Sequence, residues 1–348
     1  MSTAQNYDPH RKWEPRQAPK PGEGGRTSAM IASLAAEGYD TVSAPFGHAL
    51  VEEAKKNDRI VGLTADLAKY TDLHIFGEAF PDRFYQMGMA EQVMISAAAG
   101  MVREGFIPFA TTYAVFASRR AYDFIAMAIA EEYLPVKIVC ALPGLSTGYG
   151  PSHQATEDIA IFRGLPNLTI VDPCDAIDVM EAVPAITAHP GPVYMRLPRG
   201  KVPSVIRDHC PDYKFELGKA KLLRDGTDAL LVTSGFMTMR ALDAAKELEA
   251  DNISVAVLHC PTIKPLDQET ILREAGKSGR LVVTAENHTV VGGLGEAVAS
   301  TLLTNGVTPP FKMIGLPDQF LDAGALPNLH DRYGISTAAI KDQLRGWL

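Results

Sequence analysis

Apolar residues along this chain fall into two alternating kinds of segment. Some recur at helical spacing, as in Ala90, Val93, Met94, Ala97, Ala98 and Met101, and others form short continuous runs of the kind found in buried strands. From about residue 40 the pattern predicts a helix over Ala49–Lys56, a strand over Ile60–Leu63, a strand-like stretch over Arg83–Met87 and a helix opening at Glu91. A strand near Ile107–Phe109 and a helix from about Val115 to Ala130 come next, then strands at Val136–Cys140 and Leu168–Val171, a helix over Ala176–Ile186 and a strand at Val193–Arg196. Such alternation predicts an α/β fold, a mostly parallel, doubly wound sheet with helices on both faces.

The pattern lapses near Pro198–Tyr213, where Pro, Lys, Asp and Arg accumulate. A second, smaller doubly wound unit follows, with strands expected at Ala229–Thr233, Ile253–Leu258 and Leu281–Thr284 and a helix at Met239–Leu248. The expected division is an N-terminal arm over 1–27, a first domain over 28–203 and a second over 204–348. The arm is rich in Pro, Gly, Lys and Arg with little to bury; Trp13 is its one candidate anchor.

Composition narrows the class. With 46% hydrophobic and 21% charged residues in 348, the chain is globular in kind, and a net charge of −8 offers no basic excess to displace phosphate counterions, which excludes a nucleic-acid binder. Cys140, Cys174, Cys210 and Cys260 lie far apart without a Cys-x-x-Cys pair, so neither a zinc site nor a disulfide framework is expected. No apolar run spans a bilayer, and charged Asp8, Arg11, Lys12 and Glu14 stand where a signal peptide needs apolar residues. A cytoplasmic location without membrane association is the expectation.

Candidate chemistry begins at Glu91, a carboxylate opening an otherwise apolar helix; by itself it could simply complement the helix dipole. Downstream lie an aromatic-rich stretch, Phe109–Phe116, and a Gly/Pro/His loop, Gly144–Gln154. Gly292, Gly293 and Gly295 lack G-x-G-x-x-G spacing and read as a tight turn before a helix, with His288 beside it structural.

The run Gly88–Asp123, including Ala90-Glu91-Gln92, Thr111-Thr112-Tyr113, Phe116 and Arg120-Ala121-Tyr122-Asp123, resembles the pyrimidine-binding domain of the transketolase family and of the related 1-deoxyxylulose-5-phosphate synthases. So does the later Pro151-Ser152-His153-Gln154 loop; the resemblance runs over about residues 35–345. It implies thiamine diphosphate as cofactor, with a shielded Glu91 favouring the imino tautomer of the aminopyrimidine so that a nitrogen of that ring can remove the thiazolium proton. Tyr113 and Phe116 would wall the pyrimidine, one of them stacking on it, and Asp66 and Leu67 would lie beneath the cofactor. His153 would touch substrate and relay its protons, and Arg196 would bind the far end of the sugar.

Two departures bear on function. Tyr149 stands where the family carries an Asp that reads the donor hydroxyl, and Ser43, Tyr70 and Ala141 stand near positions where it contacts phosphate, which leaves the usual sugar-phosphate substrates in doubt. No Gly-Asp-Gly triplet, the family's metal and diphosphate motif, occurs in the chain. The resemblance therefore implies the small subunit of a split transketolase, without a metal site of its own. A partner carrying Gly-Asp-Gly would supply Mg²⁺ and the diphosphate site, the two in an α2β2 heterotetramer acting on small sugars. The alternatives are a β subunit of a 2-oxoacid dehydrogenase E1 component and a non-catalytic scaffold; a complete 1-deoxyxylulose-5-phosphate synthase is disfavoured because the front half is missing.

Overall fold

The runs read as strands assemble into two sheets in a computed structural model that describes residues 39–277 and 279–348. The arm expected over 1–27, with Trp13, lies outside the described residues. The first sheet contains β2 (Ile60–Thr64), β3 (Phe84–Gln86), β4 (Ile107–Tyr113), β5 (Lys137–Ala141), β6 (Thr169–Val171) and β7 (Val193–Leu197), all parallel to their neighbours, in the order β6-β7-β5-β4-β2-β3. Every residue of β2, β5, β6 and β7 is buried, as a sheet covered on both faces requires.

Helices α1 (Pro45–Lys56), α2 (His74–Ala79), α3 (Glu91–Arg103), α4 (Ala114–Arg120), α5 (Tyr122–Ile125), α6 (Asp158–Arg163) and α7 (Ala176–Ala188) provide that cover. They fall into two packed groups, α1 with α2 and α7, and α3, α4 and α5 with α6 on α4. The buried stripe of α3 is Glu91, Met94, Ile95, Ala98 and Ala99, rotated from the expected one, and Val93 faces outward with Met89 before it. The helix expected over 115–130 breaks at Ala121 and resumes as α5 and one turn of π-helix, Ala126–Ala130.

The second sheet comprises β9 (Lys221–Arg224), β10 (Ala229–Thr233), β11 (Val255–His259), β13 (Leu281–Thr289) and β14 (Phe311–Leu316), in the order β14-β13-β10-β11-β9, parallel except for the β9 edge. The two units interlock. Between β11 and β13 the chain forms β12 (Thr262–Lys264), which crosses back and adds an antiparallel edge to β6 of the first sheet. The stretch expected to be irregular after β7 contains β8 (Lys201–Pro203), paired with β1 (Thr41–Ser43). No helix among the described residues is long and apolar enough to cross a membrane.

Candidate active site

In an open parallel sheet, ligands collect outside the carboxyl ends of the strands, where the chain's direction of winding reverses. Here that point lies between β2 and β4: after β2 the chain adds β3 on one side, then returns to place β4 on the other. Residues following β2 and β4, and the start of α3, therefore face one crevice.

Asp66 follows β2 in a left-handed conformation (φ 60°) and is held by Gln86 at the end of β3. Gln86 Oε1 accepts the Asp66 N–H at 2.9 Å and the Gly88 N–H at 3.1 Å, while its amide nitrogen donates to Asp66 Oδ1 at 3.1 Å. One side chain thus ties the β2 loop to the approach to α3. Leu67, half-buried, donates its N–H to Thr64 Oγ1 at 3.1 Å.

Glu91 is the first residue of α3 and only 2% exposed. Its Oε1 accepts from Thr112 Oγ1 at 3.4 Å and from Arg120 Nη1 at 3.1 Å, and Arg120 Nη1 also reaches Oε2 at 3.4 Å. Tyr113 closes β4 and Phe116 lies in the first turn of α4, their ring centroids 5.6 Å apart. Arg120 is one turn beyond Phe116, and its guanidinium carbon sits 3.9 Å from that ring's centroid. The family-like residues Glu91, Tyr113 and Phe116 are therefore brought together, with Arg120 filling the space among them.

His153 joins this group from the loop after β5. Its ring centroid is 5.5 Å from Phe116, 5.5 Å from Tyr149 and 6.2 Å from Tyr113, and Nδ1 lies 2.9 Å from Ser152 Oγ. Burial, and then the nearby Arg120 charge, lower its basicity, which favours the neutral imidazole. Tyr149 stays largely exposed above it.

The second domain holds this loop in place. Asn287 accepts the Leu145 N–H at 2.8 Å and donates to the Pro143 carbonyl at 3.1 Å; Gly324 N–H reaches the Gly148 carbonyl at 3.0 Å; His330 Nε2 lies 2.7 Å from the Leu145 carbonyl. Gly144 (φ 60°) admits the clamp, because a Cβ there would lie 2.1 Å from the Asn287 carbonyl oxygen.

Arg196 is not brought to the crevice, contrary to the expectation that it binds the sugar. It lies within β7, 1% exposed, and donates to Asp158 at 2.9 and 3.0 Å, to Asp172 at 3.2 Å and to the Asn287 carbonyl at 3.0 Å. With four of its five N–H groups engaged and the side chain buried, this guanidinium is not open to a ligand in the crevice. A second cation beside the crevice, in addition to Arg120, is Arg199, three residues on and past the strand's end. Its guanidinium carbon is 5.6 Å from the Tyr70 ring centroid, its Nε is buried without a hydrogen-bond partner, and it lines an interdomain cavity with Ser146, Lys201 and Phe236. The available signal was position: Arg199 follows a fully buried strand within Pro198-Arg199-Gly200, where functional side chains of such sheets gather.

The Gly292–Gly295 turn is no phosphate cradle. The Glu286 carboxylate accepts the Leu294 and Gly295 N–H groups at 2.6 and 2.8 Å, and burial pushes its pKa up to about 7. Neighbouring His288 is fully buried between Ala160 N–H and the Thr289 carbonyl. Cys174, Asp178 and His259 place donor atoms close together, but Asp178 is already bonded to His259 at 3.0 Å, Tyr213 at 2.6 Å and the Cys174 N–H at 2.8 Å. That web joins the domains.

Two family models match the chain: transketolase, pyrimidine binding domain, over residues 40–205, and transketolase, C-terminal domain, over 218–340. An uncharacterized transketolase family protein of Sinorhizobium fredii is 68% identical, covering 92% of this chain and 93% of that protein. A 6-deoxy-6-sulfo-D-fructose transketolase subunit of a Clostridium species is 41% identical over 84% of this chain and 89% of its own length. Among solved structures, a split gene transketolase in an inactive beta4 tetramer is 41% identical, covers 87% of this chain and 96% of its own, and superposes with a TM-score of 0.79.

Proposed function

The chain belongs to the transketolase family, and we propose that it is the pyrimidine-binding subunit of a split, thiamine-diphosphate-dependent transketolase of the cytoplasm. In this reading it transfers a two-carbon ketol unit from a ketose to an aldose, together with a partner chain that carries Gly-Asp-Gly, Mg²⁺ and the diphosphate site in an α2β2 assembly. The observation that carries the proposal is the buried Glu91 carboxylate facing the Tyr113–Phe116 wall. The residues fit the pyrimidine half of the cofactor: a planar, positively charged donor, the Arg120 guanidinium, already stacks on Phe116 and bonds to Glu91.

When bound, thiamine diphosphate would supply a nucleophilic carbon and an electron sink. The chain's own residues do the rest. Glu91 would exchange a proton with a ring nitrogen, and Tyr113 and Phe116 would exclude water and present flat faces. Asp66 and Leu67 floor the crevice. His153, neutral and beside the aromatic wall, takes and returns a hydroxyl proton of the sugar. Tyr149 borders the donor, and Arg199, in place of Arg196, receives the far end of the substrate.

A partner chain is supported by the surface around Glu91, where Met89, Val93, Phe124 and Met127 are exposed on or beside the α3 and α5 face. The Clostridium relative is named a transketolase subunit, and the solved split gene transketolase made of beta chains alone is inactive, which supports a second kind of chain. The test is reconstitution with a chain bearing the Gly-Asp-Gly domain, given thiamine diphosphate, Mg²⁺, a panel of ketoses with and without anionic tails, and an aldose acceptor. Glu91→Ala should lower turnover by about 10²-fold or more, the size of a lost proton-transfer group, while leaving assembly intact. Unchanged turnover would make the chain a scaffold, and CO₂ release from a 2-oxoacid in place of ketol transfer would make it a 2-oxoacid dehydrogenase component.

A further inference from the structure

Helix α4 ends on Arg120, and the break at Ala121 frees its side chain to lie across the crevice instead of along a continuing helix. There it does three things at once. Its plane covers Phe116 at 3.9 Å, its Nη1 donates to both Glu91 oxygens at 3.1 and 3.4 Å, and its charge lies close enough to His153 to add to the lowering of that ring's basicity begun by burial. An aminopyrimidine held between an aromatic face and a carboxylate would use the same face and the same oxygens. The two cannot occupy them together.

We propose that Arg120 is a resident surrogate for the cofactor's ring: it fills the Glu91–Phe116 slot in the chain alone and must leave before the ring can enter. This rests on the pyrimidine-binding reading of the site. The two partners are unequally exposed, as a displaceable plug requires. Glu91 is fixed at the base of α3, 2% exposed, whereas the Arg120 side chain is 46% exposed and can re-solvate its charge on leaving. While the pair stands, Arg120 lies against both Glu91 oxygens and blocks the approach of a ring nitrogen to them. Loss of the plug thus both opens the slot and exposes the Glu91 carboxyl to it.

The test uses the full chain without a partner and the neutral aminopyrimidine half of thiamine, supplied as its hydroxymethyl alcohol, so that removal of a positive charge does not itself attract the probe. Binding is followed by isothermal titration calorimetry. Arg120→Gln should bind the probe about tenfold more tightly than the wild type, the size expected from no longer breaking one half-exposed ionic hydrogen bond and one cation–π contact. The gain should vanish in the Arg120→Gln/Glu91→Gln double variant. Arg120→Ala, checked for folding by thermal melting, should give the same gain. If Arg120→Gln binds no better than wild type while Glu91→Gln alone weakens binding, the plug is refuted and the pyrimidine site stands. If no variant binds the probe, both fall.

Discussion

Two arginine–carboxylate centres serve the first sheet and differ in one respect. At the seam between domains, Arg196 and Asp158 are both buried, and nearly all their hydrogen-bonding capacity is taken up between themselves and by Asp172, Tyr194 and the Asn287 carbonyl. At the crevice, Glu91 is as deeply buried, but its partner Arg120 is half in water and hangs from a helix end. A saturated pair is structure, because removing either member strands a charge in low dielectric. An open-ended pair can be exchanged for a ligand, because one partner has solvent to return to. Degree of saturation, more than residue type, separates the arginine that holds the fold together from the one that can make way for chemistry.

The comparison can be broken most forcefully at the seam. Asp158→Asn leaves Arg196 underpaired and should cost about 3–5 kcal/mol of unfolding free energy, read from denaturant midpoints. A loss near zero would show that the seam is no more committed than the crevice.

A smaller effect is expected from acid. Burial holds His288 down to about 4 and His330 to about 3, against 6.5 for an ordinary imidazole. With the folded value depressed, the stability each contributes is full above pH 6.5 and is lost as pH falls through 6.5 towards the folded value. Glu286 runs the other way: raised from 4.5 to about 7, it favours the fold at low pH and loses that contribution as pH rises through this window. The clean measurement is therefore a difference. The stability gap between wild type and His288→Gln should narrow by about 1 kcal/mol between pH 6.5 and 5.5. A gap independent of pH would mean that His288 is not held neutral.

The smallest effect belongs to the crevice. Glu91→Gln should shift unfolding by less than about 1 kcal/mol, because Arg120 returns to water. A larger loss would make the Glu91–Arg120 pair another structural clamp and remove the contrast.

Much of this was legible before folding. The alternating apolar runs place β2, β4, β5, β7, β10 and β11 within a few residues, because strands buried on both faces must be continuously apolar. Glu91, Tyr113, Phe116 and His153 could be singled out because they lie in local, ordered motifs. Arg120 was visible within Arg120-Ala121-Tyr122-Asp123, but its stacking on Phe116 depends on a helix break that periodicity does not reveal. Arg196 and Arg199 are alike in sequence, and only the strand's end between them decides which is consumed by burial.

What the sequence determined by itself was the local: the alternation of strand and helix, the doubly wound class, and the short motifs that carry the carboxylate and the aromatics. What only the tertiary structure decided was non-local. The return of β12 to the first sheet, the clamp of Asn287 and His330 on the His153 loop, and the unequal exposure of two arginines all join residues far apart along the chain. Propensity and spacing act over a few residues, whereas burial and hydrogen-bond saturation depend on what the rest of the molecule brings to the same place.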